Sequence, residues 1–526
     1  AIENILDRLP LGDLAQAYFS TAGWQVNDAL PGEPTAFSER HVSPKKEAVT
    51  AEIATLFVDT QVFCFPGVVT VDDVVGLKRK ALERKADDAI AFLAAGQAIR
   101  HDVYALIYAF MTEDPSVTLI PLEAQTTREA IVEGRSRTHL ERTLHQWLGH
   151  TDVYEAHNPV SNAATFFGRG HFINQLVLKI SRGENFGIFG LRKIGKTSLV
   201  YRLRELSRDH LVAYVDLQGV SSRGVAEVYM RLVESLVRDM RVKHPDITVP
   251  SLHSPDDASD ASTAAGNFHS DVLAIRQAFE RGARPLPHVL LLLDEIELMV
   301  PTRGTPGFEG YQDFFRHVRG LYQQERFVVS AVVGASPAVC RTATWDGRDN
   351  PVFQFYDEVF LAPLDRTECD QMVQGLGEVM GVRFDPMSLR MIYEETAGHP
   401  YVARQLCSRL VKAFPDRPLN VTEEMAQSAL EAYLAQRGEY FLGIVTGYLS
   451  AESRSIVETI AALDEDGADR SDILAKVARE PVSPHLIDQE LGDMELTGLV
   501  RRKGTRYSLR IPLFRRWLRR SWLGLE

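Results

Sequence analysis

The sequence predicts an α/β protein built around a parallel sheet, with a separate α/β domain before it and two helical domains after it. Three observations carry this. Between residues 166 and about 363 strand and helix patterns alternate, which argues for crossover helices on a parallel sheet. Two runs within that stretch, 289–293 and 327–333, are almost continuously apolar, as strands buried on both faces are. At 526 residues the chain also exceeds what one hydrophobic core supports.

Four domains follow in order. Residues 1–155 mix short β-rich runs (54–65, 117–122) with helical patterns (12–21, 75–94) and read as an N-terminal α/β domain. Residues 160–363 carry the alternation: strand 186–189, helix 196–206, strand 211–217, helix 226–242. Within it, 244–271 is rich in Ser, Asp, Ala and Pro and is expected to be a surface insertion or loop. Residues 364–440 read as a helical lid, with helices at 388–396, 401–413 and 422–435. Residues 441–526 show three helical patterns followed by strands at 499–502 and 506–510, the order of a winged helix.

Composition narrows the function. Hydrophobic residues at 45% and charged residues at 25% are those of an ordinary globular protein. A net charge of -13, from 58 basic and 71 acidic residues, excludes a general attraction to nucleic acid or anionic membrane. Cys64, Cys340, Cys369 and Cys407 lack metal-ligand spacing, and no apolar run has membrane-spanning length. A cytoplasmic protein with no membrane partner is expected.

The chemistry is written most clearly in Gly190-Leu191-Arg192-Lys193-Ile194-Gly195-Lys196-Thr197, followed by Ser198, which lies between an apolar strand and a helix. This is the pattern of a phosphate-binding loop. Its glycines let backbone N–H groups curl around a β-phosphate at a helix N-terminus. Lys196 is placed to bridge β- and γ-phosphates, and Thr197 to offer its hydroxyl to Mg²⁺. Asp294, ending the run 289–293, is the acid expected to complete the metal's environment. Glu295 follows at once and can orient and deprotonate an attacking water, with Glu297 as the competing acid. Ser336, after the strand 327–333, is either a γ-phosphate sensor or a turn-forming serine. Arg319 and Arg316 are candidates for reaching a neighbouring subunit's phosphate, or members of a solvated helix face.

On these residues the stretch from about 160 to 520 resembles the STAND-type signal-transducing ATPases, in particular the prokaryotic branch close to AAA+ proteins. Phe166-Phe167-Gly168-Arg169 is similar to the motif of that branch that lies beside the adenine, although Gly170 stands where the family usually has Glu. Gly398-His399-Pro400-Tyr401 resembles the family's lid motif, with Pro400 near the base and His399 sensing nucleotide; a helix-capping glycine followed by a helix-starting proline accounts for it equally. The resemblance implies ATP or ADP with Mg²⁺ as ligands. It further implies a winged helix acting as a switch, an unnamed trigger or protein partner, an ATP-dependent homo-oligomer, and a signalling role in bacterial regulation or antiviral defence.

Two alternatives stay open. Residues 501–520 hold nine Lys or Arg and no acid, which allows a nucleic-acid contact and a DNA-loading or remodelling ATPase. The preceding helix at 483–500, however, carries Asp488, Glu490, Asp493 and Glu495 and no Lys or Arg, which favours an intramolecular or protein-binding role. The N-terminal domain reads as a sensor or effector. Glu123 and Gln125, at the end of the strand 117–122, make a nucleotide-gated, Mg²⁺-dependent nuclease the competing reading.

Overall fold

The computed structural model describes residues 5–28, 38–45, 57, 60–84, 89–113, 117–148, 152–155, 167–221, 224–253, 260–282, 284–301, 307–345, 347–435, 438–463, 467–477 and 484–525. The chain forms two compact units. One comprises Ala1–Phe167, Asp365–Tyr393 and Val402–Tyr433, the other Gly168–Leu364, Glu394–Tyr401 and Leu434–Glu526.

The first unit begins with α1 (Leu11–Thr21), β1 (Trp24–Asp28), β2 (Ser38–Pro44), β3 (Thr60–Phe65), α2 (Val71–Arg84), β4 (Ala89–Ala95), α3 (His101–Glu113), β5 (Val117–Glu123), α4 (Ala124–Val132) and α5 (Ser136–Leu148). The sheet runs in the order β1-β2-β3-β4-β5. Its first three strands are antiparallel, and β3, β4 and β5 are parallel because α2 and α3 cross over between them. Phe19 packs edge-on against Phe92 at 4.9 Å and beside Trp24 at 5.6 Å, with Phe57 stacked on Phe92 at 5.7 Å. These rings anchor a core in which Tyr18, Phe19, Trp24 and Phe63 are fully or almost fully buried. The expected helix over 75–94 is corrected here: the helix ends at Arg84 and 89–95 is strand β4. An Ala/Ile/Phe/Leu run buried between two parallel neighbours has no polar face, so its periodicity cannot separate strand from helix. Positions 85–88 of that pattern, and 54–56 and 58–59 of the expected strand 54–65, lie outside the described residues.

The second unit opens with α6 (Gly170–Ser181), β6 (Phe186–Phe189), α7 (Lys196–Leu206), β7 (Leu211–Asp216), α8 (Val225–Lys243), α9 (Ala261–Arg281), β8 (Val289–Asp294), α10 (Tyr311–Gln324), β9 (Val328–Gly334) and α11 (Ala338–Arg341). A small hairpin, β10 (Thr344–Trp345) and β11 (Arg348–Asp349), precedes β12 (Asp357–Phe360). The sheet is wholly parallel, ordered β12-β6-β9-β8-β7. Every residue of β6, β8 and β9 is buried, as expected for central strands covered on both faces. The fold class is α/β with a parallel sheet.

The loop expected over 244–271 is also corrected: α9 begins at Ala261, with the Asp260 carboxylate accepting from the N–H groups of Ser262 and Thr263 as an N-cap. Phe268, Val272, Ile275 and Phe279 form a buried stripe at helical spacing. The stripe falls mostly beyond the Ser/Ala-rich segment, which by composition alone reads as irregular. Positions 254–259 lie outside the described residues.

Further along come α12 (Arg366–Val379), β13 (Val382–Phe384), α13 (Pro386–Thr396), α14 (Pro400–Ala413), β14 (Leu419–Val421) and α15 (Glu423–Ala435). Most of this stretch belongs to the first unit. There the buried Tyr154 donates its hydroxyl to the Val373 carbonyl at 2.6 Å, and Arg404 donates to the carbonyls of Val153 and Tyr154. These bonds fix residues 152–155 against α12 and α14.

The second unit resumes with α16 (Glu439–Gly443), α17 (Ala451–Ala462), β15 (Ala468–Asp469), α18 (Arg470–Val477), α19 (Pro484–Thr497), β16 (Val500–Lys503), β17 (Arg506–Leu509) and α20 (Pro512–Trp517). The three strands form an antiparallel sheet in the order β15-β17-β16. Arg515 and Arg519 donate to the carbonyls that end α17, where cations are favoured. Arg516 pairs with Glu395, and Arg506 donates to the Gly467 carbonyl. Much of the basic run 501–520 is therefore spent inside the unit. Arg341 clamps Glu358 of β12 and also pairs with Asp493 of α19, tying the C-terminal helices to the sheet.

Candidate functional site

The loop between β6 and α7 is shaped by its two glycines. Gly195 sits at φ 99°, a left-handed conformation that L side chains resist, and starts α7. Gly190 has no room for a side chain: an added Cβ would lie 2.8 Å from the Leu361 carbonyl oxygen, where the chain continues past β12. The N-terminus of α7 is thereby turned toward the carboxyl ends of β6 and β8, where ligands bind in open parallel sheets.

Charged and hydroxyl side chains converge there. Lys196 is buried and donates its ammonium to the carbonyls of Gly190 and Leu191, 3.0 Å each. Burial lowers its pKa, opposed by the carboxylates of Glu297, Glu295 and Asp294. The Thr197 hydroxyl donates to Asp294 Oδ2 at 2.9 Å. Asp294 is only 1% exposed, and burial pushes its carboxyl up to about 6. Its other oxygen, Oδ1, accepts from the Glu295 N–H at 2.9 Å.

Glu295 adopts a left-handed backbone, φ 57° and ψ 49°, directly after β8. Such a conformation in a non-glycine residue costs energy and is characteristic of functional sites. Burial, then the neighbouring Glu297 carboxyl, raises its pKa to about 7. Glu297 Oε2 in turn accepts from the Ala335 N–H at the end of β9. Three carboxyl groups thus crowd beside one lysine, an arrangement that a divalent cation would relieve. Among the described residues no group of three or more His, Cys, Asp or Glu side chains forms a metal site of its own.

The other candidate residues are placed as follows. Gly168 and Arg169 both have positive φ, and the Arg169 guanidinium lies against Gly195, 2.8 Å from where its Cβ would be, while donating to the Ala362 carbonyl. Phe166, first residue of that motif, lies outside the described residues. Ser336 is exposed after β9, its hydroxyl accepting from the Ala338 N–H as in a turn. Arg319 donates to the Pro351 carbonyl at 2.8 Å, and Arg316 pairs with Asp313 on the surface of α10. Ser198 is buried in the first turn of α7 and Ile194 is fully buried, whereas Arg192 and Lys193 are exposed.

His399 is fully buried, and burial pushes its pKa down to about 3. Its Nε2 lies 2.9 Å from the Tyr440 hydroxyl, which donates to the Arg192 carbonyl of the loop at 2.7 Å. Pro400 opens α14, and the ring of the next residue, Tyr401, lies 5.5 Å beneath the Lys193 ammonium.

Tyr440 and Tyr214 were not singled out in the sequence. Tyr214, on β7, donates to Asp294 Oδ2 at 3.2 Å. Its one sequence signal is a phenol within an otherwise aliphatic strand; Tyr440 had no local signal at all. In the first unit, Glu123 lines an open cleft of about 630 Å³ with Gln125, Arg128 and Glu129. One of its oxygens accepts from the Ile99 N–H and the Tyr104 hydroxyl.

No protein-family model matches this chain, and no curated protein matches it in sequence. Solved structures do. The Walker-type ATPase PABY2304 of Pyrococcus abyssi is similar at 14% identity over 69% of this chain and 99% of its own, with a TM-score of 0.50. The ORC2 protein of Aeropyrum pernix, in ADPNP and ADP complexes, is 14% identical over 66% and 92%, with a TM-score of 0.42. The RuvB Holliday junction branch migration motor of Thermotoga maritima is 12% identical over 65% and 92%, with a TM-score of 0.33. At 14% identity the likeness to the Walker-type ATPase speaks of fold alone, an α/β fold with a parallel sheet.

Proposed function

We propose that this chain is a Mg²⁺-dependent ATPase that works as a nucleotide-controlled signalling switch. One observation carries the reading: the Thr197 hydroxyl and the buried Asp294 carboxylate meet beside Lys196 at the mouth of a glycine-shaped loop, with Glu295 next in the chain. The loop N–H groups and the N-terminus of α7 bind the phosphates. Lys196 exchanges its two carbonyl partners for β- and γ-phosphate oxygens, whose negative charge offsets the burial of its ammonium. Thr197 would hold Mg²⁺ directly and Asp294 through water. When bound, the metal supplies Lewis-acid polarisation of the phosphate oxygens. Glu295, whose pKa near neutrality suits a general base, takes the proton from the attacking water, and Glu297 inherits that role if Glu295 does not fill it.

The switch is the finer part of the proposal. Residues 160–363 form the ATPase core, 364–440 a lid and 441–526 a winged helix that reports the nucleotide state. Residues 1–155 exchange the signal with a trigger or protein partner, and Ser336 and Arg319 answer to γ-phosphate within an ATP-dependent oligomer. The Tyr440 bridge between His399 and Arg192 supports a route from the loop to the C-terminal helices. The internal pairing of Arg506, Arg515, Arg516 and Arg519 favours this reading over DNA loading. Phosphate release measured with ATP and Mg²⁺, alongside solution mass in ADP and in a non-hydrolysable ATP analogue, tests both levels. Turnover that falls strongly in Glu295→Gln, with assembly in the analogue only, is expected; turnover equal in the two proteins would remove Glu295 as the base.

A further inference from the structure

Asp294 is the most heavily bonded group of the site. Its Oδ2 accepts from two hydroxyls, Thr197 at 2.9 Å and Tyr214 at 3.2 Å, while Oδ1 is held by the Glu295 N–H at 2.9 Å. Thr197 comes from the loop side and Tyr214 from the neighbouring strand β7, where it stands opposite Leu292 in a parallel register that pairs Asp216 with Asp294. The Tyr214 phenol is itself backed by Tyr201 of α7. The two rings meet edge-on with centroids 5.7 Å apart. Tyr214, Asp294 and Thr197 thus form one chain of hydrogen bonds from β7 through β8 to the first turn of α7, with the Tyr201 ring packed against its outer end.

The arrangement has a direct consequence for a cation. A metal bound by the Thr197 oxygen leaves the hydroxyl proton pointing at Asp294, so the metal's position depends on where that carboxylate is held. With Oδ1 held by the Glu295 N–H next to it in the chain, Oδ2 is fixed from two other elements, by Thr197 of α7 and Tyr214 of β7, and loss of either donor loosens its position. Outer partners of this kind fix ligand orientation and tune metal affinity.

We propose that Tyr214 is a positioning residue of the metal site, holding Asp294 in the orientation that Mg²⁺ binding at Thr197 requires, with Tyr201 as its support. The inference rests on the nucleotide-site reading above and adds a determinant on β7 that the loop and strand motifs do not contain.

The test uses the full chain and the fluorescent probe N-methylanthraniloyl-ADP, titrated first in EDTA and then at rising Mg²⁺. In Tyr214→Phe, which keeps the ring and its packing, the Mg²⁺ concentration for half of the metal-induced fluorescence change is expected to rise about tenfold, with the EDTA affinity of the probe unchanged. Tyr201→Leu, which removes the ring that backs Tyr214, is expected to shift it in the same direction by less. An unchanged Mg²⁺ midpoint in Tyr214→Phe overturns the proposal, and so does an equal loss of affinity in EDTA, which would make Tyr214 a support of the loop itself. If Tyr214→Phe melts early, Tyr201→Leu carries the test alone, a raised midpoint supporting the proposal and an unaltered one overturning it. Failure of wild-type protein to bind the probe at all would instead remove the nucleotide-site reading.

Discussion

The Thr197 hydroxyl donates to Asp294 Oδ2 across 2.9 Å, joining two segments 97 residues apart in sequence at the carboxyl edge of one sheet. The bond places a neutral hydroxyl and a buried carboxylate where a single divalent cation could engage both. Thr197→Ala removes the metal's direct ligand and leaves Asp294 with one hydroxyl partner. Nucleotide binding in EDTA should survive this change, whereas its enhancement by Mg²⁺ should fall at least about tenfold, measured by titration calorimetry.

Glu295 links pH to stability. Its carboxyl moves from an ordinary 4.5 to about 7 through burial and the facing Glu297. A group whose pKa is raised on folding contributes stability that is complete below its unfolded value and is lost as pH rises through its folded one. In EDTA and without nucleotide, Glu295→Gln should therefore stabilise the protein at pH 8 relative to wild type, by on the order of 1–2 kcal/mol, and change little at pH 4.5. Denaturant midpoints at the two pH values check the sign. Equal shifts at both would mean that Glu295 is not held protonated by its surroundings.

Tyr440 joins the loop to α16 by one hydroxyl shared between the Arg192 carbonyl and His399. Phe441 beside it packs against Phe514 and Trp517 of α20, with ring centroids 5.0 Å and 5.8 Å away. Tyr440→Phe leaves that packing intact and removes only the bonds, at a cost of about 1–2 kcal/mol. ADP release should accelerate in the variant, followed by stopped-flow displacement of a fluorescent analogue. Because burial holds His399 near 3, this release should show no titration from that residue between pH 5 and 8.

What could be read in the sequence is what is local. Gly190 to Thr197 and the apolar run into Asp294 are contiguous, and the alternation around them dictates a parallel sheet. Two other segments misled for definable reasons. The run over Ala89–Ala95 is buried on both sides and lacks any polar phase, and the start of α9 is made of small residues whose apolar stripe only begins at Phe268. Tyr214 and Tyr440 were illegible because each acts through one hydroxyl on a group far away in the chain, 80 residues from Asp294 and 248 from Arg192. Nor does composition reveal that Arg515 and Arg519 turn inward, since the carbonyls they cap at the end of α17 appear only once the C-terminal helices have folded together.

The central claim is that Lys196 and its loop bind the phosphates of ATP. The most direct measurement is the equilibrium affinity of wild type and Lys196→Ala for ATP with Mg²⁺. Loss of the buried ammonium should weaken binding by at least about 2 kcal/mol, or some thirtyfold, with the thermal melt of the free protein little changed. Equal affinities in the two proteins would contradict the assignment of the site.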